Sequence, residues 1–375
     1  MSPWRRFGWV AVLVTCGSVW AEASCAEDVV TLRMPEGGRL PRATVDSEGT
    51  VHLVYVEGDA DAANLSYATL LSGNVVWSEP QEVNRATNSV AGTGPIDGGQ
   101  LALGPDDRLH VVWLETNPAG FFYARGLPDR SGFEMPRKLW AGAEETAGVV
   151  EASPTVTVDT RGQVFVFWHA GAMEDARRSV YLTVSRDGGT TFEPVRRVSS
   201  STEGACACCG VAAVTGPDDG VYVSYRGAGD NVRRGQRVLT STDSGRQFSD
   251  RLVQPWALQA CPVSTTTVSS GSGTVKVAWE TQGQVYVAHV DRPETAVSPA
   301  GSARFRRKNP VVAVNARGAA LLAWGDGPGF SFGGTLHWQV FDADGQPMGE
   351  PGTGPALEGS LAAVVVVDDR FVVIH

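Results

Sequence analysis

Six times along the chain, a short strand runs into a turn rich in Asp, Asn and Gly, and an alternating strand follows that ends on an aromatic residue. The copies read ATVDSEGTVHLVY, LALGPDDRLHVVW, VTVDTRGQVFVFW, AAVTGPDDGVYVSY, TTVSSGSGTVKVAW and VAVNARGAALLAW. Their closing aromatics are Tyr55, Trp113, Trp168, Tyr225, Trp279 and Trp324, spaced 58, 55, 57, 54 and 45 residues apart. A seventh, weaker copy, AVVVVDDRFVVI, ends on Ile374, and its Asp368-Asp369-Arg370 turn matches Asp106-Asp107-Arg108 of the second copy. A period of this length marks a repeat architecture, in which one unit buries its apolar surface only against its neighbours.

Between copies lie a third strand, at 65–69, 121–125, 180–185, 236–241, 284–290 and 336–341, and often a fourth. Four strands per unit of 45 to 58 residues is the arithmetic of a β-propeller blade. Radial closure also removes exposed edges from a strand-rich chain. The expected fold is therefore all-β, a propeller of four-stranded blades with a count of six or seven. The last pair of strands lacks a successor, and segment 29–34 is the candidate for closing the ring. The 44 Gly fit the many tight turns this requires. No linker or shift in composition interrupts the period, so 24–375 reads as a single domain.

Residues 1–23 read as an export signal: Arg5 and Arg6, an apolar run over 7–14, then small residues with cleavage after Ala21 or Ala23. The run is too short to span a bilayer. Leu13-Val14-Thr15-Cys16 fits a lipoprotein cleavage box poorly, so soluble export to a periplasmic or extracellular space is the expectation. No later stretch is long enough to make an integral membrane protein. Cleavage after Ala23 leaves 29 basic and 40 acidic residues, a formal charge of −11. Such a surface argues against nucleic acid as a partner. Thiols in an exported chain tend to pair.

Two connections carry a further pattern. Ser185-Arg186-Asp187-Gly188-Gly189-Thr190-Thr191-Phe192 fits the Asp-box S-x-D-x-G-x-T-[FW], and Ser241-Thr242-Asp243-Ser244-Gly245-Arg246-Gln247-Phe248 is a looser copy. In each, the Asp can bind turn amides, Gly permits positive φ, and the aromatic tucks under the turn. These are structural devices, expected on the face opposite an axial site.

With these boxes the chain resembles the bacterial sialidase (neuraminidase) superfamily over essentially its whole length after the signal. Gly38-Arg39-Leu40-Pro41 is similar to that family's Arg-Ile-Pro motif, which implies a carboxylate-gripping role for Arg39. Asp59 or Asp61 lies where the family keeps its acid/base Asp, and Arg226, Arg233 or Arg306 would complete an arginine triad. The chain departs from the family at the nucleophile. Its last Tyr is Tyr286, and Glu57-Gly58-Asp59 stands where active relatives have Glu-Gly-Arg. An exo-sialidase or related glycoside hydrolase using Arg39, Asp59 or Asp61 and Arg226 is thus the alternative reading, because fold resemblance alone does not carry function.

The sharpest local feature is Cys206-Ala207-Cys208-Cys209 with Cys261-Pro262. Both precede the first strand of a repeat, the fourth and the fifth, so they are expected to converge on one axial face. Loops after second strands add His169, Met173, Glu174, Asp175, Tyr225, Arg226, Glu280 and Asp326 to that face. The pattern also resembles exported bacterial sialidase-like proteins that pair C-x-C-C with a later Cys-Pro. Three readings stay open. One is two structural disulfides, with Cys261 tied to Cys206, in a protein-interaction scaffold. Another is a soft-metal site for copper or zinc, with His169 or Met173 as an added ligand. The third is a thiol pair that exchanges disulfides or relays metal. Cys25 is an odd thiol near the signal. His52, His110 and His289 lie inside strands and read as scaffold. The principal expectation is a binding or metal-associated protein that takes a small molecule, glycan or metal, or another exported protein, on this face.

Overall fold

A strand buried on both faces needs apolar residues at nearly every position, and the second strand of each repeat has that composition. The computed structural model describes residues 29–60, 62–116, 119–140, 152–172, 174–301, 306–329 and 333–375. After β1 (Val29–Leu32), six antiparallel four-stranded sheets follow in chain order. The first is β2 (Arg39–Val45), β3 (Val51–Asp59), β4 (Ala62–Leu70) and β5 (Gln81–Glu82); the second is β6 (Gly99–Leu103), β7 (Leu109–Thr116), β8 (Ala119–Arg125) and β9 (Arg137–Trp140). The third is β10 (Thr155–Val158), β11 (Val164–Gly171), β12 (Arg178–Ser185) and β13 (Arg196–Arg197). The fourth is β14 (Ala212–Thr215), β15 (Val221–Arg226), β16 (Gln236–Ser241) and β17 (Ser249–Gln254). The fifth is β18 (Thr267–Gly271), β19 (Thr274–Thr281), β20 (Gln284–His289) and β21 (Arg292–Val297); the sixth is β22 (Arg307–Val314), β23 (Ala320–Asp326), β24 (Thr335–Phe341) and β25 (Pro347–Ala356).

The seventh sheet settles the blade count. β26 (Ala363–Val367) and β27 (Arg370–Ile374) form a hairpin, and β1 joins β27 in parallel, Val29 opposite Phe371 and Leu32 opposite Ile374. Among the described residues there are thus seven blades, six of four strands and one of three that unites both ends of the chain. Asp368 and Asp369 make the hairpin turn with φ of 49° and 62°, the left-handed pair that a two-residue turn requires. No described helix is long and apolar enough to cross a membrane.

Core lies between blades. In β11, Val164, Val166 and Trp168 join Val112, Phe121 and Tyr123 of the second blade. The intervening Phe165 and Phe167 join Val221, Val223 and Tyr225 of the fourth. Period-two alternation therefore feeds two cores at once. All six closing aromatics of the repeats are buried in these interfaces. Tyr225 is among them, its hydroxyl donating to Asp250 at 2.7 Å, so it points into the blade interface and away from the axial face where the sequence suggested it.

Hairpin turns on one face follow a common device. Asp46 accepts from the amides of Glu48 and Thr50, Asp159 from Arg161 and Gln163, and Asn315 from Arg317 and Ala319. The fourth residue of each turn is Gly49, Gly162 or Gly318, with φ of 80°, 75° and 83°, where a side chain would be strained. The residue after each Asx then reaches the next blade. Ser47 Oγ donates to Asp107 at 2.5 Å, Thr160 N to Asp219 at 2.9 Å and Ala316 N to Asp369 at 2.9 Å.

The strand histidines are scaffold. His52 shares hydrogen bonds with Tyr67 Oη (2.6 Å) and Asp46 (3.1 Å), and His110 with Tyr123 Oη (2.7 Å). Burial, with smaller contributions from nearby charges, pulls His110 down to about 4 from its ordinary 6.5. The unfolded chain therefore takes up this proton first, and His110 makes stability fall as pH drops from about 6.5 to about 4. His110→Gln is expected to flatten the pH dependence of the urea midpoint across that window. An unchanged slope would show that His110 does not stay neutral in the fold.

Candidate functional site

The first strands β2, β6, β10, β14, β18, β22 and β26 surround an axial channel of about 460 Å³ lined by Thr, Ser, Val and Ala, with Arg42 as its charged member. Arg42 donates to the carbonyls of Pro41 and Pro95, and burial lowers its pKa to about 10. Gly210, directly after Cys209, lines this channel, so the cysteines stand at its rim.

Repeat geometry brings the four thiols together as expected. Cys206 Sγ lies 3.2 Å from Cys209 Sγ and 3.6 Å from the sulfurs of both Cys208 and Cys261. Cys208 and Cys261 form a disulfide that spans 53 residues and ties the loop before β14 to the loop before β18. The expected Cys206–Cys261 pairing is thus corrected. Cys206 is closest to Cys209, its partner in a C-x-x-C spacing, and neither is bonded. Chain entropy alone gives a cross-link over such a loop about 4 kcal/mol of stabilisation.

Four blades build the cluster. The third supplies Asp175, whose carboxylate accepts from Ala207 N at 3.2 Å, and His169 of β11, whose Nε2 meets Cys209 O at 2.9 Å. His169 Nδ1 has no hydrogen-bond partner among the described residues, and burial pulls the ring down to about 4, so it serves as a neutral prop for the Cys209 main chain. Gly204 brings the chain in at φ 59°, where a Cβ would press on Asp175 O at 2.8 Å and Ala176 Cα at 2.9 Å. The fourth blade supplies Arg226 of β15, which donates to the carbonyls of Arg234 and Glu280 and lies 5.2 Å over the Trp256 ring. Arg234 pairs with Asp175 at 2.6 Å, as does Arg178 at 3.6 Å. The fifth blade gives Glu280, buried and raised above the ordinary carboxyl range by that burial. The sixth gives Lys308, whose Nζ donates to Pro262 O and Val263 O at 2.8 and 3.0 Å, next to Cys261.

The cysteines thus sit among four buried cations (Arg178, Arg226, Arg234 and Lys308) and two carboxylates (Asp175 and Glu280). That cationic excess favours thiolate over thiol. Burial opposes the Cys209 thiolate, but the hydrogen bond from Cys206, the Arg226 charge and a main-chain bond from Ser264 outweigh it and lower the Cys209 pKa. The same Cys206–Cys209 bond, together with burial, raises Cys206.

The glycosidase candidates are held differently. Arg39, first residue of β2, donates to the carbonyls of Gly58 (2.6 Å) and Gly92 (3.3 Å). Asp59 is exposed at the end of β3, Arg226 is buried on main-chain acceptors, and Arg233 and Arg306 are exposed. Asp61 and Met173 lie outside the described residues, as do Cys25 and the whole of 1–28. Both Asp-box segments lie between third and fourth strands. Asp187 accepts from Thr190 N and Thr191 N, Ser185 Oγ from Gly189 N, and Phe192 packs on Tyr123 at 5.0 Å. In the second, Asp243 accepts from the amides of Arg246 and Gln247, Ser241 Oγ from Gly245 N, and Phe248 meets Phe167 at 5.8 Å.

Arg178, Arg234 and Lys308 escaped the sequence reading. Lys308 carried a usable signal: it is one of three lysines in the chain and sits at the start of an inner strand, the station that Arg39 occupies in the first blade. Arg234 had none beyond its neighbour Arg233, which points out to solvent.

No protein-family model matches the chain, and no curated protein matches it by sequence. Solved structures do. A sialidase of Trypanosoma rangeli, in complex with the inhibitor DANA, superposes with a TM-score of 0.53 at 10% identity over 84% of this chain and 55% of that one. An alpha-L-arabinanase of Penicillium chrysogenum, complexed with arabinobiose, gives 0.54 at 11% identity over 83% of this chain and 95% of that one. This chain therefore spans little more than half of the trypanosomal enzyme, and identities this low speak for architecture alone. By fold, the chain is a seven-bladed sialidase-like β-propeller.

Proposed function

We propose that the chain is an exported soft-metal-binding propeller, in which Cys206, Cys208, Cys209 and Cys261 take Cu(I) or Zn²⁺ as thiolates. The convergence of four sulfurs carries this reading. Four thiolates at about 2.3 Å from one tetrahedral ion stand about 3.8 Å apart. The three separations from Cys206, 3.2 to 3.6 Å, need only a small expansion to match, whereas the sulfurs of Cys208 and Cys261 have to part from bonding distance. The Cys208–Cys261 bond must first be reduced, since a disulfide offers no thiolate. The cations then compensate the excess negative charge that four thiolates leave on Zn²⁺ or Cu(I). His169 Nε2 is engaged by Cys209 O, so His169 orients the loop that carries this ligand.

The test is metal retention by the purified protein, reduced without oxygen until all four cluster cysteines can be alkylated. One equivalent of Cu(I) or Zn²⁺ is expected to survive gel filtration, and Cys206→Ser or Cys209→Ser to weaken binding at least tenfold against a competing chelator. Fully reduced protein that holds neither ion would end the proposal.

A further inference from the structure

The four cysteines are not equivalent. Cys208 and Cys261 are half-buried and joined to each other, while Cys206 and Cys209 are free and only 1% and 2% exposed. A buried dithiol thus lies directly beneath a partly accessible disulfide. Cys206 Sγ is in van der Waals contact with both sulfurs of that bond, 3.6 Å from each, and it donates a hydrogen bond to Cys209 Sγ at 3.2 Å. The frame holds these positions: Cys206 N donates to Arg226 O at 2.9 Å, and Cys209 O is held by His169. Thiol–disulfide exchange needs an attacking sulfur within reach of a disulfide and a second thiol to resolve the mixed intermediate. Both are present.

We infer that the cluster is an internal thiol–disulfide relay, in which the outer Cys208–Cys261 pair and the inner Cys206–Cys209 pair exchange one disulfide between them. Cys206 must first lose its proton, and its Sγ then attacks Cys208 Sγ as the thiolate; the Cys206–Cys208 bond forms, the Cys208–Cys261 bond breaks, and Cys261 leaves with the electron pair and takes up the proton that Cys206 lost. Cys209 Sγ then attacks Cys206 Sγ. The Cys206–Cys209 bond forms, the Cys206–Cys208 bond breaks, and the proton of Cys209 ends on Cys208. One disulfide and two thiols stand on each side, so two electrons and two protons move from the inner pair to the outer pair with no external oxidant. Attack at Cys261 is the mirror route, with Cys208 as leaving group. The outer dithiol so produced is what a disulfide of another exported protein would meet, and the inner pair is the store that refills it.

The relay does not depend on bound metal, so its test is run with a chelator present. Wild-type protein carrying one disulfide within the cluster is left to equilibrate without added thiol, quenched with acid, alkylated and mapped by mass spectrometry. The expected result is two populations, one with Cys208–Cys261 and one with Cys206–Cys209. Cys209→Ser should accumulate a mixed disulfide of Cys206 with Cys208 or Cys261, and Cys206→Ser should keep Cys208–Cys261 alone. A wild-type protein that retains only Cys208–Cys261 at all times would overturn the relay, and that readout stands whether or not the variants fold. Failure of metal retention would leave this map unchanged, so the two proposals fall separately.

Discussion

A chain cut after Asp369 is expected not to fold. The cut removes β27, the middle strand of the seventh blade, which pairs with β26 on one side and β1 on the other. Phe371, Val373 and Ile374 leave with it, each at most 1% exposed. Burying side chains of this kind contributes about 1.5–3 kcal/mol apiece, so three of them approach the whole net stability of an ordinary domain, about 5–15 kcal/mol. The loss does not stop there, because β1 and β26 become unpaired edges and the ring stands open. Circular dichroism and gel filtration should show an aggregated or expanded chain without a cooperative melt. A monomer that melts within a few degrees of the intact protein would mean that the other six blades hold themselves closed.

Trp113→Ala should be the most damaging single substitution in the blade interfaces. The ring is fully buried, stacks on Phe122 at 6.0 Å, and its Nε1 donates to Glu115 Oε1 at 2.9 Å. Emptying a site of this size costs about 3–5 kcal/mol. Stripping the donor from a buried carboxylate adds about 1–3 kcal/mol. Trp113→Phe separates the two contributions, since it keeps most of the packing and loses only the N–H. Burial already raises the Glu115 pKa, and the Trp113 bond opposes that rise. In Trp113→Phe the carboxyl should therefore titrate higher, and the penalty should shrink as pH falls and Glu115 takes up a proton. Urea midpoints at two pH values check this, and a pH-independent loss would assign the effect to packing alone.

Much of the fold was legible because each blade repeats the same local grammar. Asx–Gly turns followed by alternating Val and an aromatic placed β3, β7, β11, β15, β19 and β23, and the third strands fell within a few residues of β4, β8, β12, β16, β20 and β24. The count stayed at six or seven, yet segment 29–34 was legible as the strand that closes the ring; what no local signal announces is that β1 pairs with β27 in parallel. At the site, equivalent stations in consecutive repeats brought Cys261 to the Cys206–Cys209 loop. Which sulfurs bond could not be read that way, because Cys206 and Cys208 differ by two residues and compete for the same space. The buried charges were hidden for another reason: Arg226 and Arg234 resemble any other Arg in a chain with three Lys, and only their neighbours make them interior groups.

The parallel pairing of β1 with β27 also sets an order in time. Val29 and Phe371 are partners across 342 residues of chain, and at about 5–20 residues per second a ribosome needs roughly 20–70 s to make that stretch. Throughout that interval β1 exists without the strand it belongs to. The seventh blade therefore closes last, and the hairpins of the six blades before it become a stable ring only when β27 arrives.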